Sequence, residues 1–246
     1  MSNAVASQLD AVLKGVGMGC AVLALILPGH VTSRPTRDAQ TQLVLQRSLL
    51  PRTADFAGEN ASDEARQMAN WVMYSGDHRG MPFVIVDKPH VRVFVFQPDG
   101  KLAGGTPALM GSAIGDHSVQ GIGEREMSAI EPHERTTPAG RFVSAPGVNS
   151  FGEDIVWVDY EAAVSMHRVR PKVASEQRLE RLASPTPDDN RISFGCINLP
   201  ASFYESVVKP LLGSSRGVVY VLPETRSMQD VFAGYSPVAG LPGNQP

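Results

Sequence analysis

The 246-residue chain is long enough for one large domain or two small ones, and its 42% of hydrophobic residues are ample for a packed core. Its 22 lysines and arginines against 25 aspartates and glutamates give a net charge of −3, so the basic field that nucleic-acid binding requires is absent and nucleic acid is excluded as an expected partner. The 23 glycines and 19 prolines, with only 7% aromatic residues, favour a β-rich domain with many turns.

The first 33 residues have the pattern of an export signal. Lys14 precedes an apolar run at residues 16–27, which Pro28 and Gly29 close. That run has the length of a signal-peptide core and is short for a membrane span. We therefore expect residues 1–33 to direct export to the periplasm or cell envelope, where they are either cleaved or kept as an N-terminal membrane anchor.

Residues 34–79 are predicted to form a polar, helical spacer ahead of the main domain. The better of its helices begins near Asn60 or Ser62, either of which can cap it, and ends at Ser75 and Gly76. Its apolar residues recur at helical spacing, so the helix is expected to pack on the edge of the domain.

From Pro82 onwards the apolar period changes from helical to two, which is typical of strands. Residues 83–87 and 91–96 are β-branched and aromatic runs that predict a hairpin. Further strands are predicted at residues 102–109, 140–144, 155–159, 163–169 and 217–222. Many short strands with few helices predict a mainly β fold, a β-sandwich or barrel-like mixed sheet. This domain is expected to span residues 80–223 and to be followed by a loose tail at residues 224–246.

The residue that most needs a functional explanation is Cys196, in the stretch 191–200. A strand is predicted to end and turn at Gly195, with a helix from residue 201 onwards. The thiol would then lie at a strand-to-helix junction, where free N–H groups and the helix dipole favour a thiolate. The other cysteine, Cys20, lies in the predicted export signal, so Cys196 is a candidate reactive thiol without a disulfide partner. The alternative is an inert, buried cysteine, which is what free cysteines most often are.

A cysteine nucleophile needs a base within hydrogen-bond reach, because a thiol with a pKa of about 8.5 is little ionised at pH 7. His167 is the best candidate of the six histidines, since it lies in a strand-like run shortly upstream of the cysteine stretch. By spacing alone, a structural histidine in the core is an equally good interpretation. The other histidines lie in the signal or in turn-like and loop segments: His30, His78, His90, His117 and His133.

Three separated motifs, in one order along the chain, carry a resemblance to a known family. They are the strand pair at residues 83–96 followed by Gly100, the loop Thr137-Pro138-Ala139-Gly140, and Ser193-Phe194-Gly195-Cys196-Ile197-Asn198 with His167 upstream. They resemble the opening hairpin, the Thr-Pro-x-Gly loop and the histidine…Ser-x-Gly-Cys signature of the L,D-transpeptidase catalytic domain, the YkuD type. The resemblance covers about residues 80–223.

The resemblance implies a sandwich-like β fold and an exported enzyme that acts on peptidoglycan stem peptides, and no cofactor is expected. By analogy, Cys196 attacks the carbonyl of a diaminopimelate residue that precedes a terminal D-alanine. The acyl-enzyme then passes to an amine of a second stem, which makes a 3–3 cross-link, or to water. His167 is implied to be the base, and the N–H groups of Gly195 and Cys196 the oxyanion donors. Ser193 and Asn198 are implied to orient His167 or the loop, and a purely structural role as turn and capping residues is nearly as good an interpretation.

The nucleophile motif departs from the commoner family pattern, which often has histidine where Phe194 stands and arginine where Asn198 stands. Recognition of the substrate carboxylate is then expected to fall to Arg191 or to another residue, with Phe194 and Asn198 as further substrate-contacting residues. No cation other than Arg191 lies within the motif stretch itself.

A long polar insertion, residues 170–190, separates His167 from the cysteine motif and is bounded by prolines. It is predicted to form a helix-containing flap that walls the cleft and binds stem-peptide carboxylates through Arg178, Arg181 or Arg191. A solvated surface insertion without a role is an equally good interpretation.

Three alternative functions stay open. A zinc enzyme would use His117, His133 and His167, although no paired histidine or cysteine spacing favours it. A catalytically silent wall-binding module would keep the fold with an ordinary or buried thiol. A hydrolase or amidase would use the same acyl-enzyme chemistry, and only the acceptor distinguishes it from a transpeptidase.

Overall fold

The computed structural model describes residues 52–238. The strands are β1 (Phe83–Asp87), β2 (Arg92–Phe96), β3 (Leu102–Pro107), β4 (Met110–Gly111), β5 (Gly140–Val148), β6 (Asp154–Asp159), β7 (Val164–Arg168), β8 (Arg191–Ser193), β9 (Ile197–Leu199) and β10 (Gly217–Val221). The helices are α1 (Asp63–Ser75), α2 (Arg178–Ala183), α3, which joins α-helical Ala201–Phe203, π-helical Tyr204–Val208 and α-helical Lys209–Leu212, and α4 (Met228–Val231). Every strand run predicted from period two is a strand here.

The described strands form one mixed sheet of eight strands in the order β3-β2-β1-β10-β5-β6-β7-β9, with β4 and β8 paired separately. β1 pairs with β10, and β7 with β9, in parallel. Just after edge strand β3 the chain crosses to the opposite edge, where Leu109 and Asn198 of β9 exchange two backbone hydrogen bonds of 2.9 and 2.8 Å. The sheet is therefore nearly closed, which confirms the predicted barrel-like mixed sheet with few helices.

The central strands β1 and β10 are buried on both faces, because each face packs against a different apolar cluster. Val84 and Val86 join a cluster that includes Tyr204 of α3. Phe83 and Ile85 point the other way, into an aromatic-rich cluster that includes α1. Burial on both faces explains why β1 is a continuous apolar run and not an alternating one.

Helix α1 begins and ends where the sequence predicts. Ser62 caps it, because its Oγ accepts a hydrogen bond from the N–H of Ala65 at 3.0 Å. Gly76 ends it in the left-handed conformation, with φ of 69°. Met68 and Val72 are fully buried in the aromatic-rich cluster, so the helix belongs to the core of the domain.

The packed domain extends beyond the predicted residues 80–223 on both sides. Phe56 packs edge-on against the rings of Phe94 and Phe96, with centroids 5.4 and 5.0 Å apart. Phe232 and Tyr235 are buried in the same cluster, so residues 224–238 are not the loose tail that we expected. That prediction failed because a few well-placed aromatic rings anchor a segment that has no regular apolar period.

Several predicted segments lie outside the described residues. These are the export signal at residues 1–33, the spacer up to residue 51, and residues 239–246 of the tail. Between residues 52 and 238, none of the helices combines the length and the apolar character needed to cross a membrane.

The insertion at residues 170–190 contains a helix, α2, as predicted, and has a small core of its own. Leu182 of α2 is buried against Leu109 and Val169, with Ile192 alongside. Val169 directly follows β7, and Ile192 lies in β8. The insertion is therefore fixed to both segments that carry the candidate catalytic residues.

Candidate active site

Cys196 lies in a tight turn between β8 and β9, and we call residues 193–196 the nucleophile turn. Gly195 has φ of 129°, and a Cβ atom there would lie 2.7 Å from the carbonyl oxygen of Thr136, so both conformation and space require glycine. Helix α3 starts only at Ala201, after β9. The predicted placement of the thiol at a strand-to-helix junction is therefore wrong, because residues 197–199 are held extended by pairing with β7.

Strand β7 brings a serine and a histidine to the thiol. β7 and β9 run parallel, with His167 opposite Asn198. Side chains two residues apart on a strand share a face, so Ser165 and His167 lie on the same side of β7, beside Cys196. The Ser165 hydroxyl is 3.7 Å from the Cys196 sulfur, and the thiol donates to the carbonyl oxygen of Ala163 at 3.5 Å.

The environment of Cys196 favours the thiolate. Burial by itself would raise the pKa of this thiol, because a charge is poorly solvated away from water. The hydrogen bond and positive charge of His167, followed by the backbone N–H and hydroxyl of Ser165, outweigh burial, so the pKa of Cys196 lies below its ordinary value. The side chain is nevertheless partly exposed, which leaves it open to a substrate.

His167 is oriented by a backbone carbonyl. Its Nδ1 lies 2.7 Å from the carbonyl oxygen of Arg168. A carbonyl oxygen only accepts hydrogen bonds, so Nδ1 carries the hydrogen and the neutral ring keeps its lone pair on Nε2. Arg168 is itself held by Asp154 at 3.0 Å and Glu205 at 2.6 Å. His167 therefore presents Nε2 as the base.

The carbonyl oxygen of Cys196 is held by two side chains of its own motif. Ser193 Oγ donates to it at 2.6 Å, and Asn198 Nδ2 donates to it at 3.1 Å. Ser193 Oγ also accepts the N–H of Gly195 at 3.1 Å. Ser193 and Asn198 thus order the nucleophile turn. Because the Gly195 N–H is engaged in this way, the Cys196 N–H is the better candidate for the oxyanion donor.

Thr137 of the Thr-Pro-x-Gly segment holds the nucleophile turn from the other side. Its hydroxyl donates to the carbonyl oxygen of Gly195 at 2.8 Å and accepts the N–H of Gly111 at 2.9 Å. The peptide unit is planar, so a fixed Gly195 carbonyl also fixes the direction of the Cys196 N–H. Both peptide units that flank Cys196 are thereby held by side chains, and with them the direction of the Cα–Cβ bond that carries the sulfur.

A buried ion pair supports the segment that contains Thr137. Lys88 Nζ donates to the carbonyl oxygen of Thr137 at 3.0 Å and to Asp116 at 2.6 Å, and both charged side chains are fully buried. Burial by itself would raise the pKa of the Asp116 carboxyl. The hydrogen bonds from Lys88, from Thr225 and from backbone N–H groups after β10 lower this pKa far below its ordinary range.

Two of the residues predicted to bind substrate already have partners inside the protein. Arg191 donates to Glu224 and, at 2.9 Å, to the carbonyl oxygen of Lys88. The guanidinium of Arg135 lies over the ring of Phe194, 4.1 Å from its centroid. A role in substrate binding stays a prediction for Arg191, Phe194 and Asn198.

The arginines of the insertion are engaged as well. Arg178 donates to Glu176 at 2.5 Å and to Asn198 Oδ1 at 2.8 Å. Arg181 donates to the backbone carbonyl oxygens of Glu176, at 2.8 Å, and of Asp189. Their contacts do not support the expectation that they bind stem-peptide carboxylates, because Arg178 joins the insertion to β9 and Arg181 bonds within the insertion.

Two other histidines, His78 and His90, lie in turns and have partners of their own. His78 lies within hydrogen-bond distance of the carbonyl oxygens of Val72 and Pro98, at 3.3 and 3.1 Å. His90 lies 3.0 Å from Asp87. In the described part of the chain, the histidine, cysteine, aspartate and glutamate side chains form no group of three that could hold a metal ion.

Sequence reasoning missed the buried pair Lys88–Asp116 and three further contributors to the site. Ser165 is a lone serine inside a strand, and only the β7–β9 register shows that it faces the thiol. Ala163 and Arg168 act through backbone carbonyls, which leave no signal in residue type.

Of three comparisons with known proteins, only the comparison with solved structures found similar proteins. No protein-family model matches the chain, and no curated protein matches it. Among solved structures, an L,D-transpeptidase in complex with imipenem is 17% identical, covering 57% of this chain and 58% of that chain with a TM-score of 0.32. An L,D-transpeptidase from Mycobacterium tuberculosis is 17% identical over 57% of each chain with a TM-score of 0.36. The catalytic domain of the L,D-transpeptidase from E. faecium is 21% identical, covering 57% of this chain and 96% of that chain with a TM-score of 0.31. The chain spans less than two thirds of the length of the first two of these structures.

Proposed function

We propose that this protein is an exported cysteine acyltransferase that acts on peptidoglycan stem peptides by L,D-transpeptidation. The observation that carries the proposal is the parallel register of β7 and β9, which brings His167 beside Cys196. The thiol pKa is lowered chiefly by His167, and the imidazole is held by the Arg168 carbonyl in the tautomer that leaves Nε2 as the base. A structural cysteine needs neither feature.

In the first half-reaction, His167 Nε2 takes the thiol proton and Cys196 Sγ attacks the carbonyl carbon of the diaminopimelate residue. A carbon–sulfur bond forms, and the carbonyl electrons move to oxygen. When the tetrahedral intermediate collapses, the bond to the D-alanine nitrogen breaks and His167 returns the proton to that leaving amine. A thioester on Cys196 remains.

In the second half-reaction, an amine of another stem peptide attacks the thioester. His167 accepts the amine proton and gives it to the departing thiolate, so the enzyme is restored. Water in place of the amine gives hydrolysis by the same route. The acceptor therefore decides between cross-linking and trimming.

In this proposal the Cys196 N–H binds the oxyanion in both half-reactions, a role supported by Thr137, which fixes the peptide unit that carries this N–H. Loss of one such donor in other enzymes costs about 2.7–4 kcal/mol of transition-state stabilisation. The tight packing of the nucleophile turn is therefore part of the proposed mechanism.

The substrate class and the location rest on the motif resemblance and on residues 1–33, outside the described part of the chain. A reporter fused after Ser33 is expected to appear outside the cytoplasm. Retention of that fusion in the cytoplasm would contradict the export part of the proposal and leave the Cys196–His167 chemistry to be tested separately.

The direct test is intact-mass analysis after incubation with a carbapenem and, separately, with muropeptides. We expect a single covalent adduct in the parent and none in Cys196→Ser. Cys20→Ser is the matched control, because it makes the same chemical change at the other cysteine, and it should form the adduct. With muropeptides, 3–3 cross-linked dimers support the transpeptidase, and stems that lack D-alanine without any dimer support the hydrolase. No adduct and no product, with a thiol of ordinary reactivity, would support the silent wall-binding module and contradict the proposal.

A further inference from the structure

Arg178 of the insertion helix α2 contacts Asn198 of β9, and the Asn198 side chain in turn contacts the nucleophile turn. Arg178 Nη1 donates to Asn198 Oδ1 at 2.8 Å, and Asn198 Nδ2 donates to the carbonyl oxygen of Cys196 at 3.1 Å. A continuous path of two hydrogen bonds thus joins the insertion to the backbone of Cys196. Asn198 is 2% exposed, so water does not readily replace either partner.

Arg178 determines which way the Asn198 amide faces. A guanidinium only donates hydrogen bonds, so the atom that it contacts must be the amide oxygen. The NH₂ group is then on the side of the Cys196 carbonyl, which only accepts. Without Arg178, a flipped amide would lose its bond to Cys196, and an unflipped amide would keep a buried oxygen without a partner. Arg178 itself is held by Glu176, 2.5 Å away.

We propose that Arg178 is a positioning residue for the nucleophile: through Asn198 it holds the Cys196 carbonyl, and so keeps the sulfur in contact with His167 and Ser165. The insertion then has a role that neither a substrate-binding flap nor a passive surface loop would give it. The inference rests on the proposed role of Cys196 as nucleophile, but it does not depend on the identity of the substrate.

Iodoacetamide alkylation of Cys196, followed by mass spectrometry across pH in the full chain, reads the position of the thiol without any substrate. In Arg178→Gln we expect the alkylation rate at pH 7 to fall about tenfold, and the pH profile to move towards that of an ordinary thiol, because a displaced sulfur loses the stabilisation of its thiolate. Arg181→Gln is the matched control. It removes an arginine from the same helix that bonds only to backbone carbonyls of the insertion, and its alkylation profile should be that of the parent.

A second variant separates positioning from a loss of folding. Asn198→Asp keeps an acceptor for Arg178 but has no N–H for the Cys196 carbonyl, so its alkylation should be as slow as that of Arg178→Gln in protein that still melts cooperatively. Because both changes interrupt one path, the double variant should be no slower than either single variant. Multiplicative losses in the double variant, or equal slowing in Arg181→Gln, would overturn the inference.

The inference and the proposed function fail in different ways. If the parent itself is alkylated like an ordinary thiol and His167→Ala changes nothing, the proposed function is wrong. If the parent thiol is activated and depends on His167, but folded Arg178→Gln and Asn198→Asp match the parent, only the positioning role of Arg178 is wrong.

Discussion

The hydroxyl of Thr137 donates to the carbonyl oxygen of Gly195 at 2.8 Å, across 58 residues of sequence. This contact joins two motifs that the sequence presents separately, and it explains why both belong to one site. Thr137 fixes the peptide unit that carries the Cys196 N–H, while Ser193 and Asn198 fix the next one. The nucleophile is held by its two neighbouring peptide units before any substrate arrives.

Thr137→Val keeps the shape of this buried side chain but removes both of its hydrogen bonds. We expect the free energy of unfolding to fall by about 1–3 kcal/mol, because a buried carbonyl and a buried N–H lose their partner. Acylation by a carbapenem should slow by about ten- to a hundredfold, since the oxyanion donor is no longer fixed. Thr136→Val is the control: its hydroxyl donates to the His117 carbonyl at 2.6 Å, so it should lose stability and keep the acylation rate. Parental acylation in folded Thr137→Val would contradict the positioning role.

Gly195→Ala tests the requirement for glycine in the nucleophile turn. The alanine would combine a φ of 129° with a Cβ atom 2.7 Å from a backbone oxygen, so the turn must change shape. We expect acylation to be lost and the melting temperature to fall. Gly121→Ala also has a positive φ, 73°, but its added Cβ meets no heavy atom within 4 Å. It should cost stability through strain alone and still form the adduct, and loss of the adduct in both variants would point to a general folding defect.

Ser165→Ala tests the contact that the sequence did not reveal. Its hydroxyl is one of the groups that lower the pKa of Cys196, so its removal should shift the pH profile of alkylation upwards. At pH 7 the rate should fall about fivefold, which corresponds to about 1 kcal/mol for one net hydrogen bond. Ser206→Ala removes a hydroxyl that bonds only within α3, and it should leave the profile unchanged. An unshifted profile in Ser165→Ala would remove the serine from the thiolate site.

Asp116→Asn tests the buried pair with Lys88 through the pH dependence of stability. The folded-state pKa of Asp116 is lowered, so its carboxylate stabilises the fold fully above the ordinary carboxyl pKa of about 3.9, and this contribution is lost as pH falls towards the lower folded-state pKa. At pH 7 the variant should lose about 1–3 kcal/mol, because the buried Lys88 loses its nearest carboxylate and keeps only Glu224, 3.4 Å away. Urea unfolding of the parent and the variant, at pH 7 and at progressively lower pH, measures the loss of stability and its dependence on pH. A difference between variant and parent that grows on acidification would contradict the assignment.

The elements of the sheet were predictable because each is a local pattern. Alternating and β-branched runs predicted β1, β2, β5, β6, β7 and β10 to within a few residues, and Ser62 and Gly76 marked the ends of α1. The tail was not predictable in this way. Phe232 and Tyr235 are single aromatic residues in a Gly- and Pro-rich stretch, and only their burial against distant strands orders it.

The site was predictable in its residues but not in its contacts. The order of the motifs indicated Cys196, His167 and Ser193, whose types are suited to the chemistry. The contacts Thr137–Gly195, Lys88–Asp116 and Arg178–Asn198 each cross at least 20 residues of sequence, and the fold must be known before they can be seen. The source of thiolate stabilisation was also not predictable. We expected a helix terminus to stabilise the Cys196 thiolate, and in the structure His167 and Ser165 of β7 do so.

The most direct test of the account is the pH dependence of Cys196 alkylation by iodoacetamide in the parent protein and in His167→Ala, with the modified residue identified by mass spectrometry. The account predicts an inflection in the parent below the ordinary pKa of a thiol, and a shift of that inflection upwards in His167→Ala with slower alkylation at pH 7. Coincident profiles for the two proteins, both at the ordinary thiol pKa, would show that Cys196 and His167 are not a catalytic pair.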